Sequence, residues 1–340
     1  MTYEMTRQRF IWADSLKGWL MLLVIVGHTI QSVLGDDCND NHVWNLIYSF
    51  HMPAFMAVSG WLAYSPTTPA GGESLLKRRF KQLMVPFFVW SFLAYATYGE
   101  YTMERLVKII LQPDAYFWFL WVLFFICVLF WGTQIMAKRL RVQEEWVIGS
   151  CASLLVIVMV EVNIRVLGFQ QVAYYYLFYA MGYLFHKHPK LMVRNIVGLA
   201  MLTIIWLTLA WFWQQHGLPC WLPTAHWLPL AVEQYLYRGL TTLIAIVVIL
   251  SASPRLLDGN KLLNQTMRYL GCISLGLYVV HLSFGGIKII ISGITALCPT
   301  ISLTPLVVLA SLISLVVSTL IVILLMKNRS TAQILFGKLK

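Results

Sequence analysis

The chain has 340 residues, of which 59% are hydrophobic and 11% charged, with a formal net charge of +11. An ordinary soluble domain carries about 25% charged residues, and the apolar residues here recur in runs of roughly 18 to 25, the length that crosses a hydrocarbon core as a helix. That combination excludes a soluble enzyme, a disordered tail and a secreted scaffold, and points to an integral-membrane protein.

Hydropathy places about ten spans, near residues 15–34, 44–64, 83–99, 115–136, 145–162, 169–185, 191–213, 228–250, 267–291 and 302–326. The expected fold is all-α: one polytopic bundle of about ten transmembrane helices, with residues 1–340 forming a single domain. Lys and Arg fall almost entirely in alternate loops: Arg7, Arg9 and Lys17; Lys77, Arg78, Arg79 and Lys81; Lys138, Arg139 and Arg141; Lys187, Lys190 and Arg194; Arg255, Lys261 and Arg268; Lys327, Arg329, Lys338 and Lys340. The positive-inside rule makes those loops cytoplasmic and, with an even number of spans, leaves both termini there. The other loops carry Asp36, Asp37, Asp40, Glu100, Glu104 and Asp114.

Because the cations are dispersed and form no single patch, the basic balance calls for no nucleic acid, and the lipid bilayer is the expected partner. The expected location is a bacterial cytoplasmic (inner) membrane, crossed many times. The first apolar run is long and lacks a small-residue cleavage site, so it is expected to remain as the first span. Cys127, Cys151 and Cys272 sit within spans and Cys38, Cys220 and Cys298 in or near outer loops. Two of the outer three could pair, but packing or idle thiols is the preferred reading, and the spacing fits no metal. The Pro-, Thr- and Gly-rich stretch Ser65 to Ser74 reads as a flexible connection.

Ionisable side chains at bilayer depth are costly, so the chemistry is sought among them. In the first span, Asp14, Lys17 and His28 share one helical face, with His28 roughly 16 Å along the axis from Lys17. Asp14 and Lys17 alone would suit an interfacial anchor, whereas His28 lies within the hydrocarbon. In the second span His51, in Phe50-His51-Met52-Pro53, falls at a depth similar to that of His28, so the two rings could meet across the hairpin. His51 could equally repair the carbonyl near residue 49 that Pro53 leaves without a donor.

The cluster Lys77-Arg78-Arg79-Phe80-Lys81 before the third span orients the helix and could also hold a phosphate-rich donor. Glu233 and Arg238 in the eighth span read as a buried pair, either structural glue or an acceptor-binding group. In the ninth span, Ser274, Tyr278 and His281 recur at spacings of four and three and form one polar stripe. Ser274 could simply bond its own helix backbone.

Taken together, these segments resemble the acyltransferase 3 family of integral-membrane O-acyltransferases, in particular its fucose 4-O-acetylase-like branch. The resemblance rests on Asp14-Ser-Leu-Lys17-Gly18 leading to Gly27-His28, on Phe50-His51-Met52-Pro53 with Ser59-Gly60-Trp61, and on the basic run ending at Pro86. It continues through Trp118-Phe119-Leu120-Trp121, Ala180-Met181-Gly182-Tyr183-Leu184 and Ser274-Leu-Gly-Leu-Tyr278-Val-Val-His281.

The resemblance implies a bundle that takes an acyl group from cytoplasmic acyl-CoA, by default acetyl-CoA, and delivers it to a hydroxyl of a cell-surface or lipid-linked glycan, with no metal. His28 matches the family's essential histidine and is expected to be the general base, with His51 and Tyr278 as further catalytic candidates. Lys17, Arg78, Arg79 and Lys81 are the expected donor-binding residues, and Glu233, Arg238, Ser274 and His281 the expected acceptor-binding ones. Two positions depart from the pattern: Lys17 stands where the family often has Arg, and the family's Arg-x-x-Arg element appears as Arg79-Phe80-Lys81-Gln82. Lys offers a point charge where Arg offers a bidentate fork. A covalent acyl-histidine remains open. A transporter or flippase of a lipid-linked sugar, or a non-catalytic membrane sensor, would also place charges inside a bundle.

Overall fold

A computed structural model of the chain describes residues 10–64, 73–97, 102–113, 117–162, 166–215, 217–219, 221–222, 224, 229–259 and 261–338. The positions Arg7, Arg9, Glu100, Asp114, Cys220 and Lys340, and the stretch 65–72, lie outside the described residues.

Among the described residues every regular element is helical. In chain order these are α1 (Ile11–Leu34), α2 (His42–Tyr48), α3 (His51–Trp61), α4 (Glu73–Arg79), a π-wound turn Phe80–Met84, α5 (Val85–Thr97), α6 (Met103–Leu111) and α7 (Trp118–Leu140). There follow α8 (Glu144–Val162), α9 (Phe169–Lys187), α10 (Ile196–Trp211), α11 (Leu230–Leu256), α12 (Leu262–Cys272), α13 (Ser274–Val280), α14 (Gly286–Leu297), α15 (Leu303–Met326) and α16 (Arg329–Phe336). Among the described residues, Cys38, Cys127, Cys151, Cys272 and Cys298 are not joined in disulfides.

The sidedness of α15 shows the solvent this bundle is built for. Its buried positions include Ala310, Ser311, Ser314 and Ser318, while Val308, Leu312, Val316, Leu320 and Leu324, four residues apart, are exposed. Small and hydroxyl residues face the neighbours and large apolar residues face outward, the reverse of a soluble helix. Four helices, α1 with its continuation to Asp40, α7, α11 and α15, are each long and apolar enough to cross a membrane. The pair α13 and α14 would add a fifth if counted as one span bent by 70°. The expected spans at α3, α5 and α10 are short or broken and α9 is rich in tyrosine (Tyr174, Tyr175, Tyr176, Tyr179 and Tyr183), so length and apolarity alone do not mark them.

Two glycine-mediated crossings fix the helices around α1. A Cβ on Gly18 would overlap the Met267 carbonyl and one on Gly271 the Asp14 carbonyl, so α12 lies backbone to backbone across the start of α1. Gly60 against Tyr179 and Gly182 against Ala57 do the same for α3 and α9. Only residues without a side chain allow this approach.

Two expected spans are interrupted where polar residues sit. The second is not a kinked helix: it stops at Tyr48 and restarts at His51, with Phe50 at φ −144°, so Pro53 lies in the first turn of α3, where its missing N–H costs little. The Ser49 carbonyl, which Pro53 leaves without its usual donor, accepts instead from the Thr242 hydroxyl of α11 at 2.7 Å. The ninth breaks at Ile273, and again before α14, where Phe284 takes a left-handed φ of +57°.

Candidate active site

α13 runs alongside α1 in matched register. Lys17 and Met21 of α1 share a cavity wall with Ser274, Leu275 and Tyr278 of α13, and seven residues further along each helix the rings of His28 and His281 face each other. That cavity holds about 140 Å³ and is completed by Met52, Phe55 and Ser59 of α3, Leu83 of the π-wound turn, and Phe119, Leu120 and Leu123 of α7. It is an apolar slot with a cation near one end and a phenol on its wall.

Lys17 forms a 2.7 Å ion pair with Asp14, one turn earlier on the same helix. Asp14 is 8% exposed. The carboxylate therefore holds the ammonium at the cavity and is not the partner of His28, in keeping with its place three turns away. Tyr278 touches the N-terminal end of α7: its hydroxyl oxygen accepts from the Phe119 N–H at 3.4 Å, one of the donors a helix start leaves free.

The imidazoles gather beyond Tyr278, whose ring centroid is 6.2 Å from that of His281; His281 in turn is 5.3 Å from His28. His28 is half-buried, while His51 and His281 are 3% and 1% exposed. The ring of His28 lies against those of His281 and Tyr48, the latter at 6.4 Å. The expected meeting of His28 with His51 across the hairpin is corrected in one respect. Tyr48 mediates it, with its ring 4.8 Å from His51 and its hydroxyl donating to Gln31 Oε1 at 3.2 Å. Nor does His51 repair the Ser49 carbonyl, which Thr242 serves; its Nδ1 lies 2.7 Å from the Ile47 carbonyl oxygen. A carbonyl only accepts, so this nitrogen carries the hydrogen and Nε2 the lone pair.

The basic cluster divides. Arg78 and Lys81 are exposed, whereas Arg79 is half-buried and lines a second cavity of about 50 Å³ with Cys127, Gln134, Tyr179 and Tyr183. Its Nη1 donates to Gln82 Oε1 at 3.4 Å. The π-wound turn at Phe80–Met84 rotates the following residues, so that Leu83 reaches the first cavity while Arg79 stays in the second.

Glu233 and Arg238 do not form the expected pair. Five residues along a helix turn through about 140° beyond a full circle, which puts them on different faces. Glu233 is buried, and Arg238 donates to the carbonyls of Gln215 (2.8 Å) and Gln234 (3.4 Å) with its guanidinium over the Tyr235 ring. Neither lines the slot; its wall carries Lys17, Ser274 and Tyr278, and His28, His281 and, through Tyr48, His51 gather beyond it. Sequence reasoning missed Tyr48, Gln31 and Thr242. Gln31 lies three residues after His28 on α1, a helical spacing that could have flagged it, whereas Tyr48, across the break from His51, and Thr242 carried no such signal.

Two proteins named nodulation protein NolL are similar to part of the chain. The one from Sinorhizobium fredii is 29% identical over 192 residues, covering 52% of this chain and 49% of that protein; the one from Mesorhizobium japonicum is 28% identical over 189 residues, covering 53% and 48%. The matched region thus spans about half the length of these curated relatives. No solved structure matches. The profile of the acyltransferase 3 family, described as an acyltransferase domain, matches residues 10–327, and the chain belongs to that family.

Proposed function

We propose that this chain is a membrane-bound O-acyltransferase that moves an acyl group, acetyl by default, from cytoplasmic acyl-CoA to a hydroxyl of a cell-surface or lipid-linked glycan, with His28 as general base. The topology that goes with it has about ten crossings, both termini in the cytoplasm, and the Lys17 end of the slot facing the cytoplasm of a bacterial inner membrane. One observation carries the reading: a half-buried imidazole, His28, sits beyond an apolar slot that has Lys17 near its other end.

Acyl transfer from a thioester needs a base for the attacking hydroxyl and polar groups for the developing oxyanion. His28 is reachable and has no carboxylate partner, so its lone pair is available for a hydroxyl proton. The slot suits a thin, largely apolar arm, and the cations Lys17 and Arg79, with Arg78 and Lys81 on the surface, suit the phosphates of the donor. Tyr278 and its Phe119 partner lie where the acyl carbonyl would arrive.

The test is mass analysis of surface glycans from cells with the intact chain, without it, and with His28→Ala. An acyl mass increment present only with the intact chain, and lost at equal protein level in His28→Ala, is expected; an unchanged increment in that variant removes His28 as base. A flippase would instead lose the whole glycan, not its acyl group.

A further inference from the structure

His281 is 1% exposed, and its Nδ1 lies 2.9 Å from the Leu277 carbonyl oxygen. That oxygen can only accept, so Nδ1 carries the hydrogen and the neutral ring keeps its lone pair on Nε2. Nε2 is buried and has no hydrogen-bond partner among the described residues. The ring lies 5.3 Å from that of His28, tilted by 43°. A buried nitrogen that can only accept, held beside the candidate base, is a group without a resting-state use.

We propose that His281 is a positioning residue whose Nε2 receives an N–H of His28 once His28 has taken the proton of the acceptor hydroxyl. The inference rests on His28 being the base. In the transfer, the hydroxyl O–H bond breaks and its proton goes to the lone-pair nitrogen of His28. The oxygen's electron pair forms the new bond to the acyl carbon. The C–S bond breaks with its pair on sulfur, and the thiolate takes the proton back. Between these events His28 carries an N–H on both nitrogens and a positive charge, and a hydrogen bond from it is charge-assisted and stronger than any His28 makes while neutral. His281 neither gains nor loses a proton; it orients the ring and accepts from the cation, as a carboxylate does beside the histidine of a triad.

The neighbours leave this task to His281. Gln31 also bonds His28 through its side chain, but its Oε1 already accepts from the Tyr48 hydroxyl, while the ring of His51 faces Tyr48, with its Nδ1 turned to Ile47.

Amide side chains separate the two nitrogens of His281. Asn places its amide near Nδ1 and can keep the bond to Leu277, while Gln reaches the position of Nε2. With acylated surface glycan measured by mass spectrometry and protein level by immunoblot, His281→Gln should stay within about threefold of wild type, while His281→Asn and His281→Leu should fall at least about tenfold. His281→Asn should keep the wild-type thermal midpoint after purification. A merely structural role predicts the opposite order, with Asn active and Gln not.

Acylation by the Asn variant at the wild-type level overturns the proposal, as does a folded Gln variant no better than Leu. Should the Gln variant fail to accumulate, the Asn variant decides alone. His28→Ala in the same series separates the two ideas: if it still acylates, the base assignment falls, and if it is inactive while His281→Asn is fully active, only the role of His281 falls.

Discussion

Among the described residues, the histidines at the end of α9 and those around His28 stand toward opposite ends of the bundle, and their partners differ. At the end of α9, His186 stacks on Trp61 at 4.7 Å with its Nδ1 2.7 Å from the Trp61 carbonyl oxygen, and His188 Nε2 lies 2.8 Å from a Glu145 oxygen. Beside them Lys187 bridges Glu144 and Glu145, and Glu144 also accepts from the Tyr183 hydroxyl, which in turn accepts from Gln134. Among the described residues His28 forms no ion pair with a carboxylate, and one imidazole nitrogen, Nε2 of His281, is buried and unmatched. Histidine content does not separate the groups. The bonding of the imidazoles does: those at the end of α9 are engaged by a carbonyl and a carboxylate, whereas His281 keeps a buried nitrogen without a partner.

If that contrast is right, His28→Ala should abolish acyl transfer, a loss of at least about 100-fold, since positioned general bases contribute on the order of 10² to 10⁴. His188→Ala should leave the rate within about twofold, because its bond to Glu145 is half exposed and worth little. Equal losses in the two variants, measured as glycan acylation at matched protein level, would erase the distinction. Next in size stands Tyr278→Phe. Removing the hydroxyl takes away a polar group proposed to serve the acyl carbonyl, so transfer should fall about tenfold while the chain still inserts.

The bundle itself was legible from runs of apolar residues, because a helix in lipid must satisfy its own backbone and announces itself by length. The His28 face was legible for the same reason: an imidazole in an otherwise apolar run stands out, and Lys17 and His28 share a face by spacing alone. What hid was whatever depends on a third helix. Thr242 serves the Ser49 carbonyl across 193 residues of chain, and nothing near either residue signals it. The Glu233 and Arg238 pair was inferred from opposite charge at close spacing, yet helical rotation separates them. Lys17 and, from the basic run, Arg78, Arg79 and Lys81 were expected to hold the donor, and a π turn and two cavities set Arg79 and Lys17 apart from the exposed Arg78 and Lys81.

A smaller effect belongs to the scaffold of the imidazole group. Thr242→Val keeps the volume and removes the donor to the Ser49 carbonyl at the break between α2 and α3. A buried carbonyl losing its partner costs about 1–2 kcal/mol, read as a lower thermal midpoint, with Tyr48 and His51, on either side of that break, less firmly held. An unchanged midpoint would mean that the break needs no support from α11.

The smallest effect falls on the matched group. Burial works against the charge of Lys187, but the hydrogen bonds and charges of Glu144 and Glu145 outweigh it and hold its pKa above the usual lysine value. A raised folded-state pKa adds stability that is fully present below the unfolded value, near 10.4, and is lost as pH rises through the folded one. Lys187→Met should therefore lower stability by about 1 kcal/mol or less, because the side chain is 24% exposed and water screens the pair. The difference from wild type should hold steady from about pH 7 to 9 and shrink above about 10.5, where wild type loses the same charge. Thermal midpoints of the two purified proteins across that range check it. A difference that instead grew with pH would mean that the ammonium is not what binds the two carboxylates, and that the end of α9 is held to α8 by packing around Tyr183.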